Sequence, residues 1–78
     1  MTNSKLLKDT LHKNGFIQKT LAPLLPISVT SLNYKINGKR EFKSSEIKQL
    51  QHLLKLSDEQ RDLIFFASDV EKYSTYSN

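Results

Sequence analysis

The chain has 78 residues, a net charge of +4, no cysteine and two prolines. That length limits it to one domain with a modest core, and the absence of thiols excludes disulfides and thiolate metal sites. Charge is uneven: residues 1–55 hold ten Lys/Arg against three acids, and residues 56–78 hold two against five, so the basic part suits a polyanion and the acidic end would face away from it.

The opening MTNSKLLKDTLHKNG intersperses charge with leucine and has no long apolar run. Neither a signal peptide nor a membrane span is expected, which makes a cytoplasmic protein without a membrane partner the expectation. Leu6, Leu7 and Leu11 follow Asn3 or Ser4 as N-cap, and Asn14-Gly15 supplies a left-handed stop, so a first helix is expected from about Ser4 to Asn14. A short apolar-periodic segment follows with Leu21, Ala22, Leu24 and Leu25. Pro23 lies inside it, where its missing N–H would otherwise pair with the Lys19 carbonyl. The second helix is therefore expected to kink, loosen or end early, because an unrelieved interior proline costs about 3 kcal/mol.

Pro-Ile-Ser breaks the pattern before a third helix resumes from Val29 to Asn37, with Leu32 and Ile36 four apart and Asn37-Gly38 as its stop. KREFK is polar apart from Phe42, read as a core anchor that pins this loop. Ile47, Leu50, Leu53 and Leu54 mark a fourth helix starting near Ser44 or Ser45. Ser57 with Gln60 three residues on is a capping box, and the fifth helix starts there. It carries Leu63, Ile64, Phe65, Phe66, Ala67 and Val70. The final YSTYSN is polar and unpatterned, so residues 1–70 are expected to form a single domain and 71–78 a flexible tail.

Five short helices joined by short connections make an all-α domain, and the tight spacing of the second and third is that of a helix-turn-helix. Packing explains the residue types. Ala22 is small where the third helix would cross the second, Ile27 would plug the turn, and Leu32 and Ile36 would seal the third helix onto the core. Ser28 can cap that helix, whose N-terminus also favours a phosphate. His12 and His52 lack a second ligand at metal spacing. No nucleophile-base pair or Gly-rich phosphate loop is present, so no metal, cofactor, small-molecule ligand or enzyme activity is expected.

From Lys5 to about Phe66 the chain resembles the small phage repressor and Cro-like DNA-binding proteins with a lambda-repressor-type helix-turn-helix. The segments GFIQKTLA, PISVTSLNYKINGKREF and SEIKQL carry the match, and SDEQRDLIFF is similar to the closing helix of Cro-like proteins from phages of Gram-positive bacteria. The resemblance implies a repressor that occupies double-stranded operator DNA. It gives Gln18 a backbone phosphate, base edges to Val29, Thr30, Asn33 and Tyr34, a groove-edge position to Lys35, and phosphates to Asn37, Lys39, Arg40 and Lys43.

Helical geometry agrees for the reading face, since burying Leu32 and Ile36 turns residues 29, 30, 33 and 34 outward. Asn33 can pair with adenine, and Val29 and Thr30 can meet a thymine methyl, whereas Tyr34 can reach DNA or simply cover the core edge. No arginine lies on this face, so A·T-leaning contacts are expected. Where the family often has a left-handed glycine in the turn stands Pro26, which cannot adopt that conformation, so the turn must be built differently. Neighbouring helix residues point about 100° apart, so Leu63, Ile64, Phe65, Phe66 and Ala67 cannot all enter one small core. Either the helix lies in a groove covered on both sides, or Leu63, Phe65, Phe66 and Val70 form a homodimer seam, which is the expectation. An anti-repressor or other protein-interaction module on the same fold is the alternative function.

Overall fold

Turn chemistry and apolar spacing divide the described residues into five α-helices: α1 Ser4–Lys13, α2 Gln18–Leu21, α3 Val29–Ile36, α4 Ser44–Leu53 and α5 Asp58–Phe65, with a 3-10 turn at Ala22–Leu24. The computed structural model describes residues 1–67, and among these there is no strand. The expectation for Val70 lies outside the described residues. No helix among those described is long and apolar enough to cross a membrane.

Side chains start the helices where the sequence expects. The Asn3 carboxamide accepts from the Leu6 amide at 3.1 Å, and Ser28 Oγ accepts from the Ser31 amide at 3.0 Å. Ser57 and Gln60 form the reciprocal box at 3.1 and 2.9 Å. Each satisfies an amide that the first helical turn leaves orphaned.

The ends of α1, α3 and α4 share one construction. After α1 the Gly15 amide donates to His12 O and the Phe16 amide to Leu11 O; after α3, Gly38 donates to Lys35 O and Lys39 to Tyr34 O; after α4, Lys55 donates to His52 O and Leu56 to Gln51 O. These are Schellman motifs, which place one residue in the left-handed region. Gly15 and Gly38 occupy it at φ +74° and +75°, and the third position is held by Lys55 at φ 53°. The residue that follows is apolar and packed on the core at Phe16 and Leu56, but is the exposed Lys39 after α3.

The prolines sit where they do least harm. The α-helical part of α2 stops at Leu21, and Pro23 falls inside the 3-10 turn rather than in a helix interior. The Ala22 carbonyl then accepts from both the Leu25 and the Ile27 amides at 3.1 Å, skipping Pro26, which has no N–H to give. No residue of this turn has positive φ. The early end of α2 and the turn without a left-handed residue match the expectations from sequence.

One core joins all five helices. Leu7 and Leu11 of α1, Leu21, Ala22 and Leu25, Leu32 and Ile36 of α3, Phe42, Leu50, Leu54, Ile64 and Phe65 are its buried apolar members. Phe42 anchors its loop as expected, meeting Phe65 edge to face at 5.4 Å. The α2 helix packs on α3, α1 touches both α3 and α5, and α4 packs on α5. The N-terminus clasps the close of α5: the Asn3 amide donates to Ile64 O at 2.6 Å, the Ala67 amide to Met1 O at 3.2 Å, and Thr2 is buried.

Because Lys55 occupies a left-handed position that glycine adopts without strain, Lys55→Gly should stabilise the protein by about 1 kcal/mol. Gly15→Ala, where a methyl group would meet nothing within 4 Å, should destabilise it by a similar amount through backbone strain alone. Urea unfolding of the two variants beside wild type measures both.

Candidate nucleic-acid interface

The α3 helix is held by its back. Leu32 and Ile36 are buried at 0% and 1% exposure, while Val29 and Tyr34 stand 46% and 38% exposed and Thr30 and Asn33 are also exposed. The residues expected to read bases therefore share a free face.

Neighbouring elements orient that face. Asn33 donates from its carboxamide nitrogen to Gln18 Oε1 at 3.2 Å, so the first residue of α2 fixes the Asn33 side chain. The other side-chain N–H and Oδ1 of Asn33 have no partner among the described residues, a donor and an acceptor that complement the N7 and N6 edge of adenine. Asn37 donates to the Asn33 carbonyl and accepts from Lys8 Nζ, both at 2.8 Å. Lys8, on α1, is a cation that sequence reading did not place here; nothing in the local pattern signals a contact 29 residues away.

The loop after α3 carries the other cations. Lys39, Arg40 and Lys43 are exposed, with Glu41 among them. The Arg40 guanidinium lies 5.1 Å from the centre of the Tyr34 ring, a cation–π contact that joins the loop to the exposed face of α3 and is worth about 0.5 to 1 kcal/mol at an exposed site. Ser28 is exposed at the α3 N-terminus, with its hydroxyl engaged as the cap.

Lys35 is not at the groove edge. Its position on α3 lies with Leu32 and Ile36, and it is buried at 6% exposure. Its ammonium donates to both oxygens of Glu46, at 2.7 and 2.8 Å, and the Lys43 amide donates to Glu46 Oε1 at 2.8 Å. A phosphate contact from Lys35 is thereby replaced by an internal ion pair. Glu46 was legible in sequence only as an acid in the first turn of the fourth helix, and its pairing with Lys35 was not.

The α5 seam also needs correction. Phe65 is 2% exposed, a core residue, whereas Leu63 and Phe66 stand 45% and 38% exposed. The α-helix ends at Phe65, and Phe66, at φ −125°, turns away from it. Phe66 borders a groove of about 490 Å³ with Phe42, Ile47 and Arg61, and Leu63 borders another with Leu6, Leu54 and Leu56.

Burial works to raise the Glu46 carboxyl, but the hydrogen bonds from Lys35 and the Lys43 amide, with the charges of both lysines, hold it below its ordinary 4.5. A carboxyl depressed on folding stabilises fully above its unfolded pKa and loses that contribution as pH falls through the native value. Glu46→Gln leaves the Lys35 charge unpaired, so it should destabilise by on the order of 3 kcal/mol at pH near 7. The gap to wild type should close in strong acid, which urea titrations across that pH range would measure. No family model, curated protein or solved structure matches the chain, so the use of this face must follow from its own residues.

Proposed function

We propose that the protein is a sequence-specific, double-stranded-DNA-binding transcriptional regulator, a repressor of the phage Cro type acting on DNA inside the cell. The α2 helix, its turn and α3 act as a helix-turn-helix, with α3 entering the major groove. The observation that carries this reading is the free polar face of α3, buried on its opposite side and flanked by exposed cations. At 1.5 Å per residue α3 is about 12 Å long, and a helix is the element that the major groove, about 12 Å wide, admits.

The exposed face and its flanking cations support the following roles. Val29 and the Thr30 methyl meet thymine methyls, Asn33 pairs with adenine while Gln18 steadies it, and Tyr34 carries Arg40 towards the backbone. Gln18, Ser28, Asn37, Lys39, Arg40 and Lys43 serve the phosphates, joined by Lys8. Backbone contacts of this kind fix register, and base contacts fix sequence.

Two copies would read two half-sites about one helical turn apart, related by a two-fold axis. Leu63 of α5 and Phe66, just past its end, are the exposed apolar residues there that would join them. Phe65 is withdrawn from the seam.

Duplexes from the protein's genomic neighbourhood, titrated at several salt concentrations beside a scrambled control, test the function. Specific binding with a steep salt slope is expected, and equal weak binding to both duplexes would sink the reading in favour of a protein-interaction module such as an anti-repressor. Lys39→Ala and Arg40→Ala should each flatten the slope by roughly 0.9. Asn33→Ala should weaken specific binding by about 1 to 3 kcal/mol and leave the scrambled duplex unaffected. In sedimentation on DNA, Phe66→Asp should weaken the dimer while preserving the fold, whereas Phe65→Ala should lose about 3 to 5 kcal/mol of stability.

A further inference from the structure

Among the described residues, Lys35 and Glu46 are the two buried charged side chains. They lie 11 residues apart, on the last turn of α3 and the first turn of α4, and the span between them holds Lys39, Arg40 and Lys43. One carboxylate thus receives α3 through the Lys35 ammonium and the end of the cationic loop through the Lys43 amide. Every contact is between 2.7 and 2.8 Å, and no buried polar side-chain atom is left unpartnered among the described residues.

Beyond the exposed Arg40 contact with the Tyr34 ring, the loop is fixed at two further points, the Lys39 amide on Tyr34 O and the Phe42 ring on Phe65. The first belongs to the end of α3, and the second holds the loop to the core without reference to α3. Among the described residues, Glu46 alone accepts from both the buried side of α3 and the far end of the loop. Stability does not require charge for this: apolar side chains of similar volume hold buried positions as well or better. Ion pairing adds direction and a defined length.

We propose that Lys35 and Glu46 are positioning residues, a clamp that sets the offset between the base-reading face of α3 and the phosphate-gripping loop without touching DNA. The inference rests on the DNA-binding reading above. Its consequence is selective. With the clamp gone, loop cations still find phosphates, but the α3 face and the loop no longer fit one duplex together, so preference for the right sequence falls more than attraction to DNA. Lys35, neutralised by Glu46, displaces no counterion and adds nothing to the salt slope.

The test compares wild type with K35M/E46Q, in which the carboxamide oxygen that replaces the carboxylate can still accept the Lys43 amide while the ion pair is lost. Fluorescence titrations use the duplex that wild type binds most tightly and its scrambled control, at several salt concentrations and under conditions where circular dichroism reports equal folded fractions. The expected result is a tenfold or greater loss on the specific duplex, with little change on the scrambled one and an unchanged salt slope. Specific affinity within twofold of wild type overturns the clamp, as does a slope flattened by about 0.9, which would make Lys35 a phosphate contact. If the double variant does not fold, E46D takes its place, keeping both charges but shortening the link by one methylene: a loss confined to the specific duplex supports the clamp, and unchanged specificity overturns it. Wild-type protein that shows no preference between the duplexes overturns the DNA-binding reading and this inference with it.

Discussion

Burial of Leu32 and Ile36 is the constraint on which the rest of the structure depends. Four residues apart on an eight-residue helix, they fix the rotation of α3 about its axis, and that rotation decides which side chains remain outside. Val29, Thr30, Asn33 and Tyr34 are exposed because the opposite side is spoken for. The elements that pack on α3 and complete the burial are α1 and α2, so segments remote in sequence cooperate to present one short exposed face. A chain of this size has total stability of only about 5 to 10 kcal/mol, and removing either residue would consume much of it.

Turn chemistry does the second part of the work. The α2 segment cannot remain an α-helix through Pro23, and the chain answers by tightening into a 3-10 turn at Ala22. Ala22 then serves twice, as a buried small residue and as the carbonyl that accepts both amides of the turn. The approach of α3 to α2 is consequently set by backbone hydrogen bonds around a rigid proline. Farther along, Gly38 ends α3 abruptly enough for Lys39 and Arg40 to begin the loop beside Tyr34.

Much of this was legible in the sequence because it is local. Caps at Asn3, Ser28 and Ser57, stops at Gly15 and Gly38, and the period of the leucines each depend on residues within a turn of one another. Lys55 escaped notice as a helix end because a lysine carries no signal of a left-handed backbone. The exposed face of α3 was legible where it follows from helix rotation, as at Val29, Thr30 and Asn33. It was misread where a distant partner decides the outcome. Lys35 has the sequence character of a surface cation and is buried only because Glu46 waits for it, and Lys8 reaches Asn37 across the fold. For Phe65 and Phe66 the helical period counts both as apolar, and the end of α5 between them assigns one to the core and the other to solvent.

The clasp between the chain's first residues and the end of α5 has a topological consequence. With the Met1 carbonyl bonded to the Ala67 amide and the Asn3 amide to Ile64 O, the described chain is nearly a closed ring, its two ends laid side by side. Whatever is appended ahead of Met1 would emerge next to Phe66, on the same flank of the molecule. The N-terminal residues and the close of α5 are therefore a single piece of surface.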